Sequence, residues 1–133
     1  MNTESIVKEK TSKVELLSNS DDFSCPVIYF KEAIEPEIEQ VKLDFAEIRR
    51  LGNNAPFYLL IDLSQTNPPR VEVRAQLSKE FNSFGNSCKR VLVSTGKNKF
   101  LTVAAKFIFS RFGFKNFEFF TSIEKALLAI PKK

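Results

Sequence analysis

The sequence predicts an α/β fold in a single domain: a mixed five-stranded sheet with about four helices packed around it. The first observation is the run Phe57–Leu63, which is apolar except for Asp62 and follows a loop of turn residues. A short, unbroken apolar run is typical of a strand covered on both faces. The second observation is that helical patterns separate this run from two further strand candidates, Arg90–Ser94 and Asn116–Phe120. Strand–helix–strand repeats pair in parallel through right-handed crossovers.

An antiparallel hairpin is predicted before the first helix. Val14–Leu17 and Val27–Phe30 have strand composition, and Ser18–Asp22 between them is a strong turn signal. Because a hairpin joins antiparallel strands, this pair makes the predicted sheet mixed. Residues 1–12 are polar and show little periodicity, so we expect a flexible N-terminal arm. Residues 13–133 are expected to form the single domain.

Four helices are predicted from apolar residues that recur at helical spacing. The first opens at Glu35–Glu37, where proline and acidic residues suit a helix N-terminus, and stops at Gly52. The second ends near Gly85, and the third extends over residues 98–112. The last begins with a capping box over Thr121–Glu124. The inward-facing residues expected on the first, second and last helices are Ile38, Val41, Phe45, Ile48, Val73, Leu77, Phe81, Phe84, Ile123, Ala126, Leu127 and Ile130.

The composition excludes several kinds of site. Histidine is absent, which removes Ser-His and Cys-His nucleophile pairs and the common zinc sites. Cys25 and Cys88 are far apart in the sequence, and we expect buried, inert thiols rather than a disulfide or a metal site. No metal and no cofactor are therefore expected. No apolar run approaches the roughly 18 residues of a membrane span, and no signal-peptide pattern opens the chain, so we expect a cytoplasmic protein.

Charge is distributed unevenly along the chain. Residues 1–66 contain 7 Lys and Arg against 12 Asp and Glu, whereas residues 67–133 contain 13 against 4. The basic half could face an anionic partner, or the two halves could interleave in the fold so that the field largely cancels. We expect no nucleic-acid partner, because the aromatic residues follow core spacing and no stacking motif accompanies them.

The loops that follow the two central strands are the predicted site. In an open parallel sheet, ligands bind beyond the C-terminal ends of the strands. These ends carry polar residues after Phe57–Leu63 and again after Arg90–Ser94. The candidate ligand- or partner-binding residues are Asp62, Ser64, Thr66, Arg70, Arg74, Thr95, Lys97 and Lys99.

Two interpretations of these loops remain open. The loop 94–99 places hydroxyls, a glycine and two lysines before a helix N-terminus, which suits an anion, but it could equally be a solvated turn. It is not a Walker loop, because the first glycine of that motif is missing. Asp62 could act as an acid, a base or a magnesium ligand, or it could cap its own loop through Asx-type hydrogen bonds. An enzyme handling a small ligand or phosphate would use Asp62, Lys97 and Lys99.

The third helix is unusual because apolar residues cover most of its circumference. Eight of the 14 phenylalanines fall within residues 100–120. These rings could fill the core, line an apolar ligand cavity, or form a dimer patch through Phe109 and Phe112. If the last helix folds over this arc through Leu127, Leu128 and Ile130, the rings would be hidden and no homodimer would form.

The order of elements and several short segments resemble the STAS superfamily, the sulphate transporter and anti-sigma factor antagonist domains. The segments are Leu60–Ser64, Val73–Ala75, Arg90–Ser94 and Phe119–Leu127. The chain is most similar to the uncharacterised, small bacterial STAS/SEC14-like proteins. The resemblance covers most of residues 14–130, and it implies a mixed sheet surrounded by helices, a cytoplasmic location and non-enzymatic regulatory work.

One departure from the family pattern limits what the resemblance implies. In phosphorylated antagonists, an Asp-Ser-Ser-Gly sequence follows the Asp-Leu-Ser strand end and opens the next helix. Here that span reads Pro68–Val73, so the phosphoacceptor serine has no counterpart and the partner-switching mechanism is not implied. We therefore expect a non-catalytic regulatory or binding module that contacts an unidentified protein, or a small anionic or apolar ligand, through the two loops.

Overall fold

The computed structural model describes residues 11–133, so residues 1–10 of the predicted N-terminal arm lie outside the described residues. Five strands and four helices follow one another along the chain. The strands are β1 (Lys13–Leu16), β2 (Val27–Lys31), β3 (Phe57–Asp62), β4 (Cys88–Ser94) and β5 (Phe117–Phe120). The helices are α1 (Ile38–Gly52), α2 (Val71–Ser83), α3 (Lys99–Ser110) and α4 (Ile123–Leu128). Within residues 11–133, no helix is both long and apolar enough to cross a membrane.

The sheet confirms the predicted mixed architecture. Its strands lie in the order β1-β2-β3-β4-β5, with β1 antiparallel to β2 and every other neighbouring pair parallel. Each connection between parallel strands leads to the next neighbouring strand, always towards β5. Because such crossovers are right-handed, α1, α2 and α3 all lie on one face of the sheet. The C-terminal ends of β3 and β4 consequently meet at one edge, where the loops of the predicted site begin.

The larger core lies between the sheet and these three helices. Val41 of α1, Leu77 of α2 and Ile108 of α3 pack in one cluster with alternate residues of the strands, including Leu59. The alternation follows from the pleat, which sends successive side chains to opposite faces. At the centre is the ring of Phe81, whose centroid lies within 6.3 Å of six other phenylalanine rings: Phe45, Phe84, Phe109, Phe112, Phe114 and Phe117.

A smaller core covers the other face of the sheet. Here Ala126 of α4 and Ile130 pack against Tyr58, Leu60 and Leu92 of the central strands. The inward-facing residues predicted for the last helix are confirmed, because Ile123 and Leu127 also pack against this cluster.

Two helix ends differ from the sequence prediction. Helix α1 does end at Gly52, but the left-handed residue that closes it is Asn53 (φ 50°). Gly52 is needed for a different reason, because a Cβ there would lie 2.9 Å from the Phe57 ring. The capping box predicted over Thr121–Glu124 is wrong by one residue. Ser122 has the extended backbone of an N-cap, and its Oγ accepts the Lys125 N–H at 3.1 Å.

Of the alternatives considered for Phe109 and Phe112, the exposed dimer patch is wrong and the position in the core is confirmed. The two residues are only 6% and 3% exposed, because their rings pack against Phe81 and Phe117. The covering by the last helix that we considered is wrong as well, since α4 lies on the opposite face of the sheet. The apolar residues that α3 turns outward are instead Phe100, Val103 and Phe107.

We predict that Phe81→Ala lowers the free energy of unfolding by about 3–5 kcal/mol, the range for removing a buried ring and leaving a cavity. Phe100→Ala deletes the same ring from a site that is almost fully exposed, and should change stability by less than about 0.5 kcal/mol. Urea unfolding of both variants followed by circular dichroism measures the difference. Equal losses would show that Phe81 does not hold the core together.

Candidate functional site

The loops that follow β3 and β4 are in contact. The Leu63 N–H donates to the carbonyl oxygen of Ser94 at 2.8 Å, which continues the strand pairing into the loops. Gly96 has a positive φ of 70°, and a Cβ there would lie 3.1 Å from Cβ of Ser64. A residue with a side chain would therefore be strained at Gly96 and would push the first loop away. The two predicted loops thus form one surface at the C-terminal edge of the sheet.

An open groove of about 420 Å³ lies between the loop after β3 and the first turns of α3. Two of the predicted residues, Ser64 and Thr66, line it. Helix α3 is positioned there by Asn98, whose Oδ1 accepts the N–H groups of Phe100 and Leu101 at 3.0 and 3.2 Å. We call this feature the loop groove; its lining residues are Ser64, Gln65, Thr66, Asn67, Pro68, Asn98, Phe100, Leu101 and Ala104.

A cavity of about 40 Å³ lies beneath the loop groove, between the sheet, α2 and α3. Its walls are almost entirely apolar, and it shares Thr66, Leu101 and Ala104 with the groove above. The volume is enough for roughly two or three water molecules. Thr66 is buried, and its Oγ1 has no hydrogen-bond partner within the described part of the chain. This hydroxyl is therefore a buried polar group without a partner in a residue that lines the cavity.

Glu32 also lines the cavity, although it was not among the site residues predicted from the sequence. It follows β2 directly, and its Oε1 accepts the Ala33 N–H at 2.7 Å. Burial raises the pKa of Glu32 from 4.5 to about 7, although the bond from Ala33 opposes the shift. Carboxyl groups tuned towards neutral pH are common at functional sites. The only sequence signal was an acidic residue beside an apolar strand, which is equally typical of a solvated strand end.

Asp62 caps its own loop. Its Oδ1 accepts the Ser64 N–H at 2.9 Å, the Asx-type bond considered above, and its Oδ2 accepts the Tyr29 hydroxyl at 3.2 Å. Burial and the nearby carboxylate together raise the pKa of Tyr29 to about 12, so this phenol stays protonated at neutral pH. Both oxygens of Asp62 are thus engaged in holding the loop and the sheet edge.

The predicted residues of the second loop do not join the loop groove. The hydroxyl groups of Thr95 and Thr102 are 2.5 Å apart, and both residues line a separate groove of about 310 Å³ that also includes Lys106 and Lys125. Lys97 and Lys99 are exposed to solvent and line neither groove. The structure therefore brings Ser64 and Thr66 together but separates them from Thr95 and the two lysines.

The two predicted arginines hold the loop in place. Arg70 pairs with Glu37 at 3.0 Å and with Glu72 at 3.7 Å, and all three side chains are more than half exposed. Arg74 Nε donates to the carbonyl oxygen of Pro69 at 2.9 Å. Both guanidinium groups thus bond to other residues of the domain.

The two thiols and the clustering of carboxylates bear on nucleophilic and metal chemistry. Cys25 and Cys88 are both free, and burial raises the pKa of Cys88 to about 12, so that it remains a protonated thiol. Within residues 11–133, no three Cys, Asp or Glu side chains cluster closely enough to hold a metal ion.

The buried carboxyl of Glu32 predicts a specific dependence of stability on pH. Its pKa is about 7 in the folded chain and 4.5 without burial, so the folded state binds more protons between these values. Stability should therefore fall as the pH rises from about 4.5 to 7, by about 3 kcal/mol in all. Glu32→Gln removes the ionisation and keeps an oxygen for the Ala33 N–H.

The measurement is urea unfolding of wild type and variant at pH 4.5 and at pH 8. The advantage of Glu32→Gln over wild type should be about 3 kcal/mol larger at the higher pH. Glu124→Gln, a change of an exposed carboxyl, is the control and should show no such trend. A constant difference between Glu32→Gln and wild type would contradict the raised pKa.

Comparison with known proteins adds no assignment. No model of a known protein family matches the chain, and no curated protein sequence matches it significantly. The resemblance to the STAS superfamily therefore stays a prediction from the sequence.

Proposed function

We propose that the protein is a non-catalytic binding module of STAS-like regulatory type, and that its ligand or partner segment occupies the loop groove. One observation carries the proposal: a groove of small-molecule size lies at the C-terminal edge of the sheet, where the sequence places the site. Its volume of about 420 Å³ lies within the roughly 300–1,000 Å³ of small-molecule sites. Ser64 and Thr66, both predicted from the sequence, contribute to its lining.

The lining indicates the chemistry of the ligand. Among residues 11–133, no charged side chain lines the loop groove; hydroxyls and amides face the apolar residues Phe100, Leu101 and Ala104. Within the described residues, the side chains of Ser64 and Gln65 form no hydrogen bond, so both can donate to or accept from a ligand. This supports an uncharged ligand with one hydrogen-bonding edge and one apolar side, such as a small, largely apolar molecule with a polar group or a peptide segment, rather than a small anion.

The alternative prediction, an enzyme using Asp62, Lys97 and Lys99, gains no support from the geometry. Both carboxylate oxygens of Asp62 accept hydrogen bonds from the domain itself. None of the three residues lines the loop groove. A general acid or base must reach the proton that it transfers, and the cavity and grooves described above, within residues 11–133, are not lined by these three residues.

The test is capture from an extract of the source cell with the chain as bait, followed by native mass spectrometry for bound small molecules. Gln65→Trp should fill the loop groove and reduce the captured species at least tenfold. Gln65 is exposed and forms no bond within the described residues, so the variant should fold normally. Asn86→Trp introduces the same side chain at an exposed turn outside the groove and is the matched control.

The expected result is a specific protein or small molecule that wild type and Asn86→Trp retain and Gln65→Trp loses. Recovery of nothing by the wild type, or equal recovery by both variants, would remove the groove as the binding site.

A further inference from the structure

Helix α3 carries a stripe of exposed apolar side chains on its outer face. Phe100 is 89% exposed, Val103 68% and Phe107 54%. These residues are separated by three and four positions, so they lie side by side along one face of the helix. We call them the outer stripe. No other element of residues 11–133 packs over them, and exposed rings grouped in this way usually mark an interaction surface.

Positive charges border the outer stripe on both sides. At 100° per residue, Lys99 and Lys106 fall along one edge of the stripe and Arg111 along the other. The guanidinium of Arg111 lies 4.7 Å from the centre of the Phe107 ring, which holds it against the stripe. Within the described residues, none of these three cations forms an ion pair. The sequence contains no acidic residue from Lys89 to Phe117, so α3 and the segments that flank it contribute only positive charges.

This arrangement argues against a second copy of the chain on the stripe. A twofold contact would bring Lys99, Lys106 and Arg111 of one copy against the same cations of the other, and like charges across an interface are unfavourable. The area is also small. Two phenylalanines offer on the order of 300 Å², whereas a stable protein interface buries about 800 Å² on each partner.

We propose that the outer stripe docks the protein onto an anionic lipid bilayer. A convex apolar stripe bordered by cations is the pattern of helices that lie in the membrane interface, with apolar side chains entering the acyl boundary and cations remaining among the phosphates. A bilayer needs no preformed groove in the protein, because its surface adapts to the inserted rings. Only Phe100 belongs to both the outer stripe and the loop groove. Membrane docking can therefore be tested separately from binding in the groove, through Val103 and Phe107.

The chain contains no tryptophan, so a single introduced tryptophan reports on insertion. Val103→Trp places the reporter in the outer stripe, and Leu43→Trp places it at an exposed apolar position on α1 as the control. The probe is a phosphatidylcholine vesicle containing roughly a third phosphatidylserine, an anionic surface. We expect the emission of Val103→Trp to shift to the blue on these vesicles and that of Leu43→Trp to stay unchanged. A shift in both variants, or in neither, overturns the proposal.

Charge and ring variants test the two parts of the contact by vesicle co-sedimentation. Lys99→Glu with Lys106→Glu should weaken binding at least about 25-fold, at roughly fivefold for each lysine charge lost. Phe107→Ser should weaken it about tenfold, and Lys42→Glu on α1 should change it less than twofold. All replaced side chains are exposed, so the variants should fold as wild type. Circular dichroism checks this.

Two results would redirect the surface to another partner and overturn lipid docking. One is a blue shift of Val103→Trp with a glutamate-rich amphipathic peptide but not with the vesicles. The other is a concentration-dependent dimer in light scattering that Phe107→Ser abolishes. Binding to pure phosphatidylcholine as tight as to the anionic vesicles would also contradict the proposal, because the cations would then contribute nothing.

Discussion

The packing of phenylalanine rings around Phe81 is the constraint on which the rest of the structure depends. This ring, from α2, meets rings of α1, of α3 and of β5, so a single side chain fixes how three helices sit on the sheet. Edge-to-face and offset contacts between aromatic rings are directional, and they add about 0.5–1.5 kcal/mol per pair to the burial of area. The loop groove and the outer stripe both depend on this packing, because the rotation of α3 about its axis determines which of its residues line the groove and which face outward.

The architecture could be predicted because local patterns and connection rules agree. An apolar run as short as Phe57–Ile61, preceded by turn residues, is typical of a buried strand. Right-handed crossovers then leave few ways to arrange helices between parallel strands. The rotation of α3 could not be predicted. Its apolar residues surround most of the helix, so periodicity does not distinguish Phe109 and Phe112 from Phe100 and Phe107. The rotation is set by contacts with Phe81, which is distant in sequence, and with Phe117 of the next strand.

The position of the candidate site at the edge of the sheet could be predicted, but most of the residues that line it could not. Strand order brings the loops after β3 and β4 together, so Ser64 and Thr66 were found at the groove. The direction of a loop side chain depends on turn geometry, which is why Lys97 and Lys99 point to solvent although they are close in sequence to Thr95. Glu32 was missed for the converse reason: its burial comes from the loop Thr66–Pro69 and from α3, which fold over it from far along the chain.

Filling of the cavity beside Glu32 is also linked to the pH of the solution. Because burial raises its pKa to about 7, Glu32 gains or loses its proton near neutral pH. An apolar group that enters the cavity desolvates the carboxylate further and therefore favours the protonated state. Filling the cavity therefore takes up a fraction of a proton from the buffer. The measured heat of binding then differs between buffers of different ionisation enthalpy, and the affinity for the apolar group rises as the pH falls.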